Sequence, residues 1–168
     1  MDYRIGNGID VHPLIKGRKL ILGGVHIQYK LGCDGHSDGD VLTHSIIDAI
    51  LGALGKGDIG DYFPSSDQKF KGVSSIKLLD HIYNEFFKEF TIENESVWNI
   101  ANIDSTIILQ EPIIKPYIEE MKEQIGISCS LNDNISIKAT TTDHLGFIGA
   151  GKGIAAITNC LLIKKKNG

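Results

Sequence analysis

Residues 40–54, DVLTHSIIDAILGAL, constrain the fold more than any other stretch of the chain. Apolar side chains recur at Leu42, Ile46, Ile47, Ile50, Leu51 and Leu54, the spacing of a helix with one apolar face. Such a face has to be buried against another element. The flanking sequence offers strands for it. Residues 2–12 alternate weakly, and 19–30 form two β-rich runs around Gly23-Gly24, a hairpin signal. Residues 97–110 are β-rich and closed by Pro112, and residues 134–142 and 153–166 read as two further strands. Helices are expected over 74–90, starting near Ser74 or Ser75, and over 115–126, ending at Gly126. Asp38 or Asp40 caps the first helix, and GKGDIGDYFPSSDQ (55–68) reads as loop. The mixture predicts an α+β fold: a single-domain sandwich of one β-sheet covered by helices, spanning 1–168.

Composition removes several function classes. The 168 residues suit one core, and 42% apolar with 23% charged content is ordinary for a soluble domain. No apolar run is long enough for a membrane span, and MDYRIGNGID carries no secretory signature. Net charge is −4, and the only basic run is KKK at 164–166, which disfavours nucleic acid as a partner. Metal ions would let an acidic chain of this kind hold a polyphosphate. Cys33, Cys129 and Cys160 are widely spaced and form no C-x-x-C pair, so they read as buried or incidental thiols of a reducing compartment.

The chemistry-bearing residues cluster early. Asp10 and His12 are two apart on an expected strand, so one carboxylate and one imidazole project to the same face, while Ile9 and Val11 face the core. His44 on the helix supplies a third donor, giving the three protein ligands of an open zinc site. Asp48, at i+4, is placed to accept the other ring N–H of His44. Pattern alone leaves this reading level with a capped turn or a solvated strand end. A calcium loop is excluded, because Asp34, Asp38 and Asp40 miss the twelve-residue spacing and no glutamate closes it. His26 and His81 have no partner in sequence and read as structural or exposed, whereas His144 adjoins Asp143 in a polar loop. Gly146 to Lys152 fits G-x-x-x-x-G-K, but Gly153 replaces the metal-binding Ser or Thr and a β segment follows. It is a false phosphate-loop match.

In order along the chain, RIGNGIDVH, LGGVHI, GHSDGDVLTH, DAILGALGKGDIGDYFP, NIDSTIILQEP and IKATTTDHLGF resemble the 2-C-methyl-D-erythritol 2,4-cyclodiphosphate synthase family, from about Arg4 to Ile163. The resemblance implies a phosphorus–oxygen lyase of non-mevalonate isoprenoid biosynthesis, a homotrimer with its active sites between subunits. The small-molecule substrate is a cytidine diphosphate derivative, whose own 2-phosphate attacks the β-phosphate and expels CMP. The implied setting is the bacterial cytoplasm, or a plastid-type organelle if a transit peptide has been removed.

Position by position, the resemblance implies that Asp10, His12 and His44 hold Zn²⁺ or another divalent transition metal. Asp143 stands where relatives usually have a glutamate near Mg²⁺ or Mn²⁺, and its shorter reach makes an indirect contact the expectation. His36 and Thr141 match residues that steady the transition state. Ser37, Asp58, Gly60, Phe63 and Asp67 match the methylerythritol side, with Asp10, His12 and His36 also reaching substrate. Leu109, Pro112, Thr140, Thr141, Thr142, Asp143 and Phe147 match the cytidine and phosphate side.

There are departures. Ile113 follows Pro112 where relatives often have lysine, and the nearest lysine is Lys115. Asn7, Ala150 and Lys152 replace a His, an Arg and a Glu that line one end of a central trimer cavity able to hold isoprenoid diphosphates, so weak or altered binding is expected there. Two other readings compete with the lyase. One is a zinc phosphodiesterase giving a linear product; the other is a trimeric scaffold with a structural metal, for which no fourth ligand lies close by.

Overall fold

The computed structural model describes residues 2–93, 98–131 and 133–164. The start of the expected strand at Val97 and the Lys165–Lys166 end of the basic run lie outside them. The principal sheet has five strands in the order β4-β1-β7-β5-β6. They are β1 (Tyr3–Ile15), β4 (Gly32–Cys33), β5 (Trp98–Ile108), β6 (Ile135–Thr140) and β7 (Gly153–Lys164). β7 runs antiparallel to both β1 and β5, and β5 and β6 are parallel. β2 (Leu20–Leu22) and β3 (Val25–Ile27) form the expected hairpin, with positive φ of 57° and 77° at Gly23 and Gly24. That double left-handed turn is why two glycines stand there.

α1 (Val41–Leu54) crosses β1 and β7 and is the most buried element, with Leu42, Ile46, Ile47, Ile50 and Leu51 fully enclosed. Asp40 caps it by accepting from the Thr43 N–H, and Gly55 ends it in the left-handed conformation. The Asp40 carboxylate also accepts from the amides of Gly23 and Gly24, tying the hairpin turn to the helix start. Three stretches differ from expectation. Residues 55–68 contain a short helix, α2 (Ile59–Tyr62), because Asp58 and Asp61 form a reciprocal capping box. The helical run from Ser75 to Glu93 is α3 (Ser75–His81), a π-helical stretch (Ile82–Phe87) and α4 (Lys88–Glu93). A 3₁₀ turn at Lys115–Tyr117 leads into α5 (Ile118–Cys129), which continues past Gly126. Gly126 is needed for packing: a Cβ there would sit 2.6 Å from the Leu131 carbonyl oxygen, and Ser130 takes the left-handed turn instead.

A larger correction concerns which face of β1 is buried. Ile5, Ile9 and Val11 are 72%, 58% and 48% exposed, so Ile9 and Val11 do not face the core. The inward face carries Gly6, Gly8, Asp10 and His12. α1 lies so close that a Cβ on Gly6 or Gly8 would overlap the carbonyl oxygens of Ala49 or Ser45. The helix backbone therefore occupies the side without side chains, and the apolar residues turn outward. Tyr3, Ile5, Ile9 and Val11 leave most of the second face of the sheet apolar and uncovered by the described helices; only Phe147, from a short helix at Gly146–Gly149, packs over its end at Gly153. One sheet covered by helices is correct, mainly on one side.

Candidate active site

The close passage of α1 over β1 brings His44 against Asp10 and His12. A buried chain of hydroxyls also holds the helix to the sheet: Ser45 Oγ and Ser105 Oγ lie 2.7 and 2.8 Å from Thr158 Oγ1. Asp10 Oδ2 lies 2.9 Å from both His12 Nε2 and His44 Nδ1, and those two nitrogens are 3.4 Å apart. A tetrahedral zinc ion with donors at about 2.0–2.1 Å separates them by roughly 3.3 Å, so this triangle is close to the size an ion requires. One carboxylate and two imidazoles form a donor set suited to zinc, and they are the described residues that cluster in this way.

The ring of His12 is oriented from behind. Its Nδ1 donates to the backbone carbonyl of Asp34 at 2.6 Å, which turns Nε2 toward Asp10. Burial opposes ionisation of Asp10, but hydrogen bonds and charge from His12 and His44 outweigh it and hold the carboxyl well below the usual range. Burial likewise opposes a charge on His12, and the Asp10 carboxylate overcomes it, raising the imidazole above its usual value. The Asp48 expectation is corrected. Its carboxylate accepts from the Ile59 N–H at 2.8 Å, fastening α2 to α1, while His44 Nε2 meets the hydroxyls of Ser75 and Ser37.

The remaining candidates fall into two groups. Beside the metal triangle, His36 Nε2 donates to the Asp67 carbonyl at 3.0 Å, and Ser37 is buried behind His44. Asp58 caps α2 and accepts from the Gly60 amide. Phe63 packs edge-on against Phe70, and Asp67 pairs with Lys69 at 2.9 Å. On the far edge of the sheet, Leu109, Pro112, Ile113, Ile114, Lys115, Thr140 and Thr141 line a cavity of about 250 Å³. Next to it, Thr141 donates its hydroxyl to Asp143, Thr142 to the Leu145 carbonyl, and Phe147 stands half exposed.

Strand register gives the separation of these groups. Val11, Ala155, Ile108 and Thr140 occupy one row across β1, β7, β5 and β6. Three strand spacings amount to about 14 Å. The candidate metal triangle and the cavity therefore lie toward opposite edges of the sheet. Sequence reasoning missed Ser75 as a site residue; it read as the start of a helix, and its partner Asp38 is 37 positions away.

Residues 3–163 match the model of the YgbB family. The chain belongs to the YgbB family. A relative from Clostridium acetobutylicum, named 2-C-methyl-D-erythritol 2,4-cyclodiphosphate synthase, is 54% identical over 95% of this chain and 99% of its own length. An IspF from Plasmodium falciparum, solved as a CDP complex, superposes with a TM-score of 0.81 at 34% identity, covering 98% of this chain and 97% of that one. The bifunctional IspDF of Campylobacter jejuni gives a TM-score of 0.86 at 40% identity, and the match spans 43% of that longer protein.

Proposed function

We propose that this chain converts 4-diphosphocytidyl-2-C-methyl-D-erythritol 2-phosphate into 2-C-methyl-D-erythritol 2,4-cyclodiphosphate and CMP, as a phosphorus–oxygen lyase. The observation that carries the reading is the Asp10–His12–His44 triangle in a chain so similar to relatives named for that reaction. Zinc held by these three residues, and magnesium or manganese near Asp143, would supply positive charge to the phosphate oxygens.

The chain's own groups position and stabilise. A 2-phosphate oxygen forms a bond to the β-phosphorus while the bond from that phosphorus to the CMP oxygen breaks, so no protein nucleophile is required. The buried cysteines fit this: burial pushes the Cys33 thiol up to about 12. His36 gives its Nε2–H to the Asp67 carbonyl, so it meets a phosphate oxygen as a donor at Nδ1 only when the ring is doubly protonated. The Thr141 hydroxyl, now on Asp143, is the matching donor for developing charge. Asp58 and Phe63 serve the methylerythritol portion. The cavity from Leu109 to Lys115 and Thr140 takes the cytidine end.

A homotrimer packed through the open sheet face joins one protomer's metal edge to its neighbour's cavity edge. That arrangement accounts for the exposed Ile5, Ile9 and Val11. Among the described residues no helix is long and apolar enough to cross a membrane. The similarity to synthases of bacteria is the ground on which we assign the enzyme to the cytoplasm. Asn7 lies on the same open face, bonded to Asn159 at 3.0 Å, and isoprenoid diphosphates bind weakly there; calorimetry with geranyl diphosphate tests this. The deciding experiment is incubation with the diphosphocytidyl substrate, Zn²⁺ and Mg²⁺, followed by phosphorus NMR. A cyclic diphosphate plus CMP is expected; a linear hydrolysis product would convert the assignment to a phosphodiesterase.

A further inference from the structure

Of the two ring nitrogens of His44, Nδ1 faces Asp10 and His12, and Nε2 points the opposite way, into a buried nest of hydroxyls. Ser75 Oγ lies 2.9 Å from it and Ser37 Oγ 3.0 Å. Ser75 is fully buried at the first position of α3. Its hydroxyl donates to Asp38 Oδ1 at 2.5 Å, and its backbone N–H donates to Asp38 Oδ2 at 2.9 Å. A hydroxyl has one hydrogen, and a carboxylate only accepts. With that hydrogen committed to Asp38, Ser75 Oγ meets His44 as an acceptor. Nε2 then carries the hydrogen and Nδ1 keeps its lone pair.

We propose that Asp38, acting through Ser75, is a positioning residue that commits His44 to bind the metal through Nδ1. The proposal rests on the metal reading above and adds what sets the ring. His12 is backed by the Asp34 carbonyl at Nδ1 and presents Nε2, so the two histidines offer opposite nitrogens to one point. Neither backing group was apparent as such in the sequence. Ser37 supplies the contrast: with Nε2–H in place its oxygen is a second acceptor, while its own hydrogen faces Ser75 Oγ at 3.4 Å and not a carboxylate. Without Ser75, Ser37 donates to Nε2, the hydrogen moves to Nδ1, and an incoming ion must displace it.

The test measures zinc affinity of the full chain by chelator competition, with metal-free melting curves and imidazole ¹H–¹⁵N spectra of the zinc-loaded protein. Ser75→Ala is expected to weaken zinc roughly 10–100-fold and to lose a slowly exchanging Nε2–H signal, with Ser75→Thr restoring both. Asp38→Ala, which releases the Ser75 hydrogen to donate to Nε2, is expected to weaken zinc by a similar factor. An unchanged zinc affinity in folded Ser75→Ala overturns the proposal and leaves the zinc site standing. So does a wild-type spectrum in which His44 coordinates through Nε2, a measurement that needs no variant to fold. A wild-type chain that binds no zinc overturns the metal reading itself.

Discussion

The two edges of the sheet are built to different standards. At the edge of the candidate metal site both histidines are fixed from behind: His12 by the Asp34 carbonyl, His44 by Ser75 and Ser37, and the helix by glycines and a buried hydroxyl chain. At the cavity edge, Thr140, Thr141 and Asp143 are exposed on a strand end and a loop, bonded to near neighbours in sequence, and Phe147 is exposed on a short helix. Metal ligands tolerate errors of a few tenths of an ångström, so their geometry has to be present before an ion arrives. A nucleotide is larger and brings its own hydrogen-bonding groups, and loops settle around it on binding.

This contrast breaks most sharply at His44. His44→Ala is expected to bring zinc content and CMP release below detection while circular dichroism and oligomeric state stay those of the parent; full activity with no bound zinc would sink the assignment. Next is Gly8→Ala, which sets a methyl group against the Ser45 carbonyl and forces α1 off the strand. A loss of about 3 kcal/mol in urea unfolding is expected, with weakened zinc, and an unchanged midpoint would show that the close approach is not required.

A smaller effect comes from pH. In metal-free protein His12 is raised and Asp10 lowered. The stabilisation from His12 is complete below the usual histidine value of 6.5 and is lost as pH rises through its raised value. Asp10 contributes above the usual 3.8 and fades as pH falls through its depressed value. Melting of chelated protein should therefore decline on the alkaline side, and zinc should flatten that decline; parallel curves with and without zinc would contradict the pairing. The mildest change belongs to the cavity edge. Lys115→Ala is expected to raise KM for the cytidine substrate about fivefold, the worth of one exposed charge contact, with zinc content untouched. Lost zinc in that variant would erase the distinction between the edges.

The metal triangle was legible because two periodicities expose it, two on a strand for Asp10 and His12 and 3.6 on a helix for His44. The cap at Asp40 and the hairpin at Gly23-Gly24 followed from local turn chemistry. The outward turn of Ile9 and Val11 was not legible from alternation, which gives two faces and does not say which is covered. Gly6 and Gly8 held that information, as residues whose missing side chains admit a helix backbone. The Ser75–Asp38 contact was equally hidden, since a serine at a helix start explains itself locally. Asp48 misled for the same reason: i+4 proximity to His44 is real, but the Ile59 amide competes for its carboxylate.

The row from Val11 to Thr140 has a consequence for genetics. If a working site takes its metal from one chain and its nucleotide loops from the next, damage to either half belongs to a different subunit of the pair. Two proteins, each dead through a lesion in a different half, would then rescue one another when refolded together, with about a quarter of all sites intact under random one-to-one assembly. Two lesions in the same half would not.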